Sequence, residues 1–255
     1  MIELRHITKT FADRQVLAGI SATFQGGQTS LIIGRSGSGK TVLMKCIVGL
    51  LTPTSGHVLY DGRDFLAMDK HERARLRREV GMIFQSAALF DSMSVMDNVM
   101  FPLDMFSAMT LRDRQRRARQ CLDRVNLSEA GHKRPSELSG GMQKRAAIAR
   151  AIALDPKYLF CDEPNSGLDP KTSLVIDALI HDITVEHNIT TIINTHDMNS
   201  VLGIGDSILF INQGREEWLG DKHHVLTSHC ESLTDFVFAS DLLRQVKDKL
   251  DPSSI

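Results

Sequence analysis

The segment Gly34-Arg35-Ser36-Gly37-Ser38-Gly39-Lys40-Thr41 constrains the fold of this chain more than any other stretch. It has the pattern G-x-x-x-x-G-K-[ST] and lies between an apolar run, Ser30-Leu31-Ile32-Ile33, and helical patterning over 42–51 that opens at Val42. A buried strand, a glycine-rich turn and a helix whose first N–H groups are unpaired together make a phosphate-binding loop. Glycines let the backbone curl around an anion without Cβ clashes, so that successive N–H groups point inward. In that setting Lys40 reaches phosphate oxygens, and the Thr41 hydroxyl completes a magnesium shell. A strand-to-helix turn that binds nothing would leave both the full motif and its two flanks without a reason.

Charge and cysteine usage narrow the partners. Lys and Arg number 30 against 31 Asp and Glu, a balance that argues against a general nucleic-acid binder. Cys46, Cys121, Cys161 and Cys230 are far apart and form no C-x-x-C pair, as expected of a reducing compartment. No apolar run approaches the ~18 residues that span a bilayer, and Met1-Ile2-Glu3-Leu4 starts in strand-like alternation rather than a leader. The chain is therefore expected to be soluble and to meet a membrane only through a partner.

Alternating patterns at 2–7 and 16–24 predict antiparallel strands at the start, joined by the turn Thr10-Phe11-Ala12-Asp13. Phe11 there either packs in the hairpin or stacks on a purine. After the phosphate-loop helix, 57–60 reads as a strand, 70–78 as a charged helix and 80–84 as a strand ending in Gln85, which could reach a bound metal or water. Residues 86–138 carry helical patterns and no convincing strand, which predicts a helical insertion. Arg112, Arg114, Arg116, Arg117, Arg119 and Arg124 read as a solvated helical face, with nucleic-acid or lipid-headgroup contact as the sharper alternative.

A second anion-binding helix start follows at Leu138-Ser139-Gly140-Gly141-Met142, where Ser139 is a good N-cap and Gly140 and Gly141 leave the terminus open. Tyr158-Leu159-Phe160-Cys161 predicts a fully buried strand that runs into Asp162-Glu163-Pro164. Carboxylates beyond the carboxyl end of a parallel strand stand where α/β sheets bind ligands. Asp162 suits magnesium and Glu163 suits polarising a water. A loop at 165–170, a helix at 172–186 and a strand at 189–195 place His196 at a strand end, a candidate γ-phosphate sensor. A closing hairpin at 207–219 leads to a tail from Lys222. There Leu233, Phe236, Val237, Leu242, Leu243 and Val246 recur at helical spacing, and the scattered histidines complete no metal site.

The ordered set of phosphate loop, Gln85, Leu138-Ser139-Gly140-Gly141, Asp162-Glu163, Ser166-Gly167-Leu168-Asp169 and His196 resembles ABC-transporter ATPase subunits over about residues 1–221. The resemblance implies an α/β phosphate-loop NTPase with a RecA-like core, an N-terminal antiparallel β subdomain and an α-helical subdomain. The ATPase domain would span 1–225, with 86–138 inserted, and 226–255 would be a C-terminal helical extension. It implies ATP and Mg2+, with Phe11, Gly34, Ser36, Gly37, Ser38, Gly39, Lys40, Thr41, Val42, Ser139, Gly140, Gly141 and Asp169 binding nucleotide. Thr41, Gln85 and Asp162 would hold metal, and Glu163, His196 and Gln85 would serve catalysis. One phosphate loop and one signature per chain imply a second copy of the chain as partner, two ATP molecules being sandwiched between the copies. A permease would contact the region 86–106.

Within that family, Ala87-Ala88-Leu89-Phe90-Asp91-Ser92-Met93-Ser94-Val95 with Asn98-Val99 and Phe101-Pro102-Leu103 is similar to ATPases of MCE-associated lipid transporters of the Mla type, as are Leu138-Ser139-Gly140-Gly141-Met142 with Lys144-Arg145 and Ile152-Ala153-Leu154-Asp155-Pro156. That similarity implies phospholipid transport between bacterial envelope membranes, a place at the cytoplasmic face of the inner membrane, an MCE-domain protein and a small cytoplasmic accessory subunit. The alternatives are an importer ATPase for a polar solute such as an amino acid, a division-linked ATPase, and a DNA- or ribosome-acting ATPase. Near-neutral charge and the single ATPase unit stand against the last. Three residues depart from the family pattern: Met142 where Gln is common, Phe11 where Tyr is common, and Asn165 where Thr or Ser is frequent.

Overall fold

The computed structural model describes residues 1–239, so Leu242, Leu243 and Val246 lie outside the described residues. In chain order the strands are β1 Ile2–Phe11, β2 Arg14–Phe24, β3 Gln28–Ile33, β4 Ser55–Tyr60, β5 Arg63–Asp64, β6 Val80–Ile83, β7 Tyr158–Asp162, β8 Thr190–Asn194, β9 Ser207–Asn212 and β10 Arg215–Gly220. The helices are α1 Lys40–Ile47, α2 Lys70–Arg78, α3 Val95–Phe106, α4 Leu111–Arg124, α5 Gly140–Ala151, α6 Pro170–Glu186, α7 Met198–Ile204 and α8 Glu231–Val237. The chain divides into two compact units.

The first unit comprises Met1–Phe24, Ser30–Leu66 and the described residues from Asn194 onward. Its antiparallel sheet has the order β2-β1-β4-β5, with Ile2 opposite Phe24 on one side and opposite Tyr60 on the other. Strand β3 pairs in parallel with β9, Ser30 opposite Ser207 through Ile33 opposite Phe210, and β9 pairs antiparallel with β10. Leu31, Ile32, Ile33, Leu209, Phe210 and Ile211 are all buried, the near-continuous apolar run expected of strands covered on both faces. Helix α1 stops at Ile47 rather than continuing to residue 51. Gly49 adopts φ +75°, and a Cβ there would lie 2.2 Å from the Phe65 ring, so the backbone turns where only glycine fits. Helix α7, which the sequence pattern did not reveal, starts where Asp197 accepts the Asn199 N–H at 2.8 Å. In the tail, Asp221 accepts the N–H groups of His223 and His224 in a turn, and the helix begins at Glu231.

The second unit comprises Gln25–Thr29 and Ala67–Ile193. Strand β6 pairs in parallel with β7, Val80 opposite Tyr158 through Ile83 opposite Cys161. Helix α5 packs on β6, α3, α4 and α6. Gly81 permits the approach to β6, since a Cβ there would stand 2.5 Å from the Ala151 carbonyl oxygen. Helices start where a short polar side chain caps them: Asp69 with Glu72 at α2, Ser94 with Asp97 at α3, and Thr110 at α4.

Arg112, Arg116 and Arg119 of α4 are exposed, as a solvated face requires, whereas three other arginines of the run are not. Arg114 meets Asp104 at 2.9 Å and Arg124 meets Glu186 at 2.7 Å. Arg117 donates to the carbonyls of Ile152 and Ala153 and pairs with Asp155, so it closes the C-terminal end of α5. These arginines tie helices together.

Candidate nucleotide and water-activating site

The phosphate loop is built by its glycines. Gly34, Gly37 and Gly39 adopt φ values of +148°, +79° and +110°. A Cβ on Gly34 would lie 2.2 Å from the Ile211 carbonyl oxygen and 2.8 Å from Ser38 Oγ, so no other residue fits. Gly39 is the N-cap of α1 and offers no side chain to the first N–H groups of that helix. Lys40 is only 8% exposed, and its Nζ donates to the carbonyls of Gly34 at 2.7 Å and Arg35 at 3.2 Å. The buried Ser38 Oγ makes no hydrogen bond. A cradle that a Cβ would fill, an uncapped helix start, a buried ammonium and an orphaned hydroxyl together fit a polyphosphate.

Around that loop, Ser36, Gly37 and Thr41 are exposed and Val42 is half-buried. Phe11 is 43% exposed, with the Lys9 ammonium 5.0 Å from its ring centroid, so it stands clear of the hairpin core. His196 is exposed two residues beyond β8, just ahead of the Asp197 cap. These residues all belong to the first unit.

The second unit brings together the other group. Asp162 ends β7, and Glu163 follows it with φ +50°, a left-handed backbone that is unusual for a glutamate and gathers at functional positions. The Ser166 N–H returns to the Glu163 carbonyl at 3.1 Å, which closes the turn. Gln85, exposed just after β6, donates from Nε2 to Ser166 Oγ at 3.0 Å. Asn165 is buried and donates to the buried Asp177 carboxylate of α6 at 2.7 Å. Asn165 thereby anchors the turn in a way that the shorter Thr or Ser would not match. The same Asp177, with Asp162, adds to burial in pushing the Cys161 thiol up, so the strand end lies in a negative field.

Ser139 caps α5 by accepting the Met142 N–H at 3.3 Å. The cap uses only the backbone of residue 142, which explains why methionine is tolerated there. Gly140 lies at the exposed helix start, whereas Gly141 has a packing reason as well, since its Cβ would come within 2.7 Å of Thr172 Cγ2. The Asp169 carboxylate caps α6 through Thr172, whose hydrogen bonds hold it below the usual carboxylate range.

The sequence pattern does not reveal the roles of Lys144, Arg150, Asn98 and Asp177. Lys144 is buried on α5 and donates to the Gln85 carbonyl. Burial pushes its ammonium pKa down, and the Glu163 charge acts in the opposite direction. Arg150 donates to the carbonyls of Ala87 and Ala88, and burial lowers its pKa as well. Asn98 is fully buried, accepting the Phe90 N–H at 2.8 Å and donating to the carbonyls of Phe90 and Ser94. Single polar residues inside amphipathic helices carry no local pattern that would have marked them.

A glycine cradle with a buried lysine at the start of a helix, after a strand buried on both faces, defines a phosphate-loop NTPase. The particular family follows from comparison: the ABC transporter family matches residues 17–166, and the chain belongs to it. This is the fold of a phosphate-loop NTPase core with mixed sheets and a helical subdomain. The chain is 36% identical to the methionine import ATP-binding protein MetN of Corynebacterium efficiens, over all of this chain and 72% of that protein. It is 35% identical to the probable ribonucleotide transport ATP-binding protein mkl of Mycobacterium leprae, over 89% of this chain and 65% of that protein. Among solved structures it is similar to cbiO1 of Clostridium perfringens, part of the ABC transporter complex cbiONQ, with TM-score 0.84, 27% identity and 98% of each chain covered. It also resembles the ATP-binding cassette MJ0796 in a dimeric post-hydrolysis state bound to ADP and Pi, with TM-score 0.79, 32% identity, and 87% of this chain and 99% of that one covered.

The family is one of ATP-hydrolysing subunits, and ATP with Mg2+ is what they turn over. The narrower similarity to Mla-type ATPases is not what these relatives carry in their names, which speak of methionine and ribonucleotides. None of these names mentions an MCE-domain protein or an accessory subunit. Among the described residues, no helix is long and apolar enough to cross a membrane.

Proposed function

We propose that this chain powers a membrane transporter for a polar solute, amino acids being the favoured cargo class, by closing and opening as an ATP-bound dimer. The observation that carries the dimer is one phosphate loop and one signature helix start on a single chain, which supplies each nucleotide with only half its donors. The cargo class rests on the relatives named for methionine import.

In this reading the glycines of 34–39 and Lys40 bind the β- and γ-phosphates, with the N-terminus of α1 and Val42 beneath them. Phe11 stacks on the purine. Thr41, Asp162 and Gln85 would be the residues that hold Mg2+, which would supply charge neutralisation to the phosphates. Glu163 accepts a proton from the water that attacks the γ-phosphorus, while Gln85 orients that water and His196 hydrogen-bonds the γ-phosphate. ADP leaves with its β-phosphate oxygen, and inorganic phosphate is the second product. Ser139, Gly140 and Gly141 present N–H groups to the nucleotide of the second copy, and Asp169 lies in the same interface. Hydrolysis then permits opening. The chain would sit at the cytoplasmic face of the bacterial inner membrane, held there by a permease seated against 86–106.

A second reading, lipid transport, is favoured by one observation: the sequence of 87–103. Purification of the chain from membranes with its native partners separates the two. Recovery of a solute-binding protein with the permease supports import of a polar solute. Recovery of an MCE-domain protein with bound lipid would replace that cargo and leave the ATPase reading intact.

A further inference from the structure

Lys144 lies a little more than one turn beyond the signature residues Ser139, Gly140 and Gly141, and it is 5% exposed. An ammonium at that depth is costly unless it is hydrogen-bonded and balanced by charge. Its Nζ donates to the main-chain carbonyl of Gln85. The Glu163 carboxylate acts on it electrostatically. The side chain of the same Gln85 donates to Ser166 Oγ, three residues past Glu163. Lys144 thus touches, or acts on, both groups assigned to the attacking water.

Helix α5 holds the Gln85 loop at a second point. Arg150 donates from Nη1 to Ala88 at 2.6 Å and from Nη2 to Ala87 at 2.8 Å. Ala87 and Ala88 have φ values of +60° and +48°, a backbone that costs roughly 1–2 kcal/mol per residue for an L-amino acid with a Cβ. The loop keeps this shape because the helix supplies donors for its carbonyls. Residues 85–88 therefore travel with α5.

We propose that Lys144 is a positioning residue for hydrolysis: it fixes Gln85 against Glu163 and so joins the signature helix start to the water-activating groups of the same chain. The inference rests on the dimer reading, in which that helix start grips one nucleotide while Glu163 and Gln85 serve the other. Lys144 then couples the two sites.

The test uses the purified full chain as wild type, Lys144→Met and Lys144→Arg, with ATPase rate measured against ATP concentration. A fluorescent ATP analogue reports binding and thermal melting reports folding. Lys144→Met is expected to lower kcat about tenfold, in keeping with small misplacements of reacting groups, with KM and analogue affinity within about twofold. The Hill coefficient should fall from about 2 toward 1, since it is bounded by the number of coupled sites. Lys144→Arg, which keeps a donor, should recover most of both. Wild-type kcat and Hill coefficient in a folded Lys144→Met chain overturn the proposal. So does a change in KM alone, or a Lys144→Arg chain as impaired as Lys144→Met. Should Lys144→Met fail to melt cooperatively, Lys144→Gln takes its place with the same expectations and the same overturning results. Glu163→Gln separates the underlying reading: if that variant does not dimerise with ATP, the dimer fails, whereas a kcat loss confined to Lys144→Met still supports positioning.

Discussion

The phosphate loop and the loop that begins at Gln85 both follow parallel strands, yet they are held in different ways. The first is fixed largely within eight residues, by glycine backbone geometry and by Lys40 reaching back to Gly34 and Arg35, with the Ile211 carbonyl packed against Gly34 from a distant strand. The second has local support in the Ala87 N–H on the Phe84 carbonyl and in Asn98 at Phe90, but its critical carbonyls are held from farther along the chain. The carbonyls of Gln85 and of the left-handed Ala87 and Ala88 are held by Lys144 and Arg150, about sixty residues onward. A backbone cradle suits phosphates that must be held in one place. Side-chain tethers suit a loop whose position must report on a helix elsewhere in the same unit.

That contrast can be broken or sharpened by substitution. The largest effect is expected at the carboxylate itself: Glu163→Gln should lower the ATPase rate by about 10²–10⁴-fold while analogue binding is kept. Lys40→Ala should act on the other region and weaken nucleotide affinity about 10–100-fold, the value of a charged hydrogen bond, as read by fluorescence titration. Gly34→Ala should remove about 1–3 kcal/mol of stability, seen as a lower melting temperature, because its Cβ meets the Ile211 carbonyl at 2.2 Å. Asn165→Ala should cost about 1–3 kcal/mol by the same measurement, since the buried Asp177 loses a donor.

The smallest expected effect concerns the thiols. Burial pushes Cys46 and Cys121 up to about 11 and raises Cys161 as well, so all three stay protonated at pH 8. A thiol reagent at that pH should find Cys230 fast and the other three slow, without change in ATPase rate from the buried set.

The contrast also explains what the sequence made legible. The pattern from Gly34 to Thr41, the cap at Ser139 and the apolar run into Asp162 are local, and the structure places each on the element expected of it. Strand β7 could be read because a strand buried on both faces is apolar at every position. Helix α1 was read too long because nothing before the fold revealed the Phe65 ring against Gly49. The role of Lys144 was not legible because burial of a lysine on a helix is decided by what packs over it. Asn165 first looked like an unexplained departure and acquired a reason only when α6 brought Asp177 to it. Arg114, Arg117 and Arg124 depart from the solvated face for the same cause, their carbonyl and carboxylate partners lying on other elements.

The central claim is that one chain holds half of each ATP site. Light scattering on the Glu163→Gln chain with ATP and Mg2+, and again with ADP, tests it most directly. The account predicts the mass of two chains with ATP and of one chain with ADP. A single-chain mass under both conditions, with ATP bound, would contradict it.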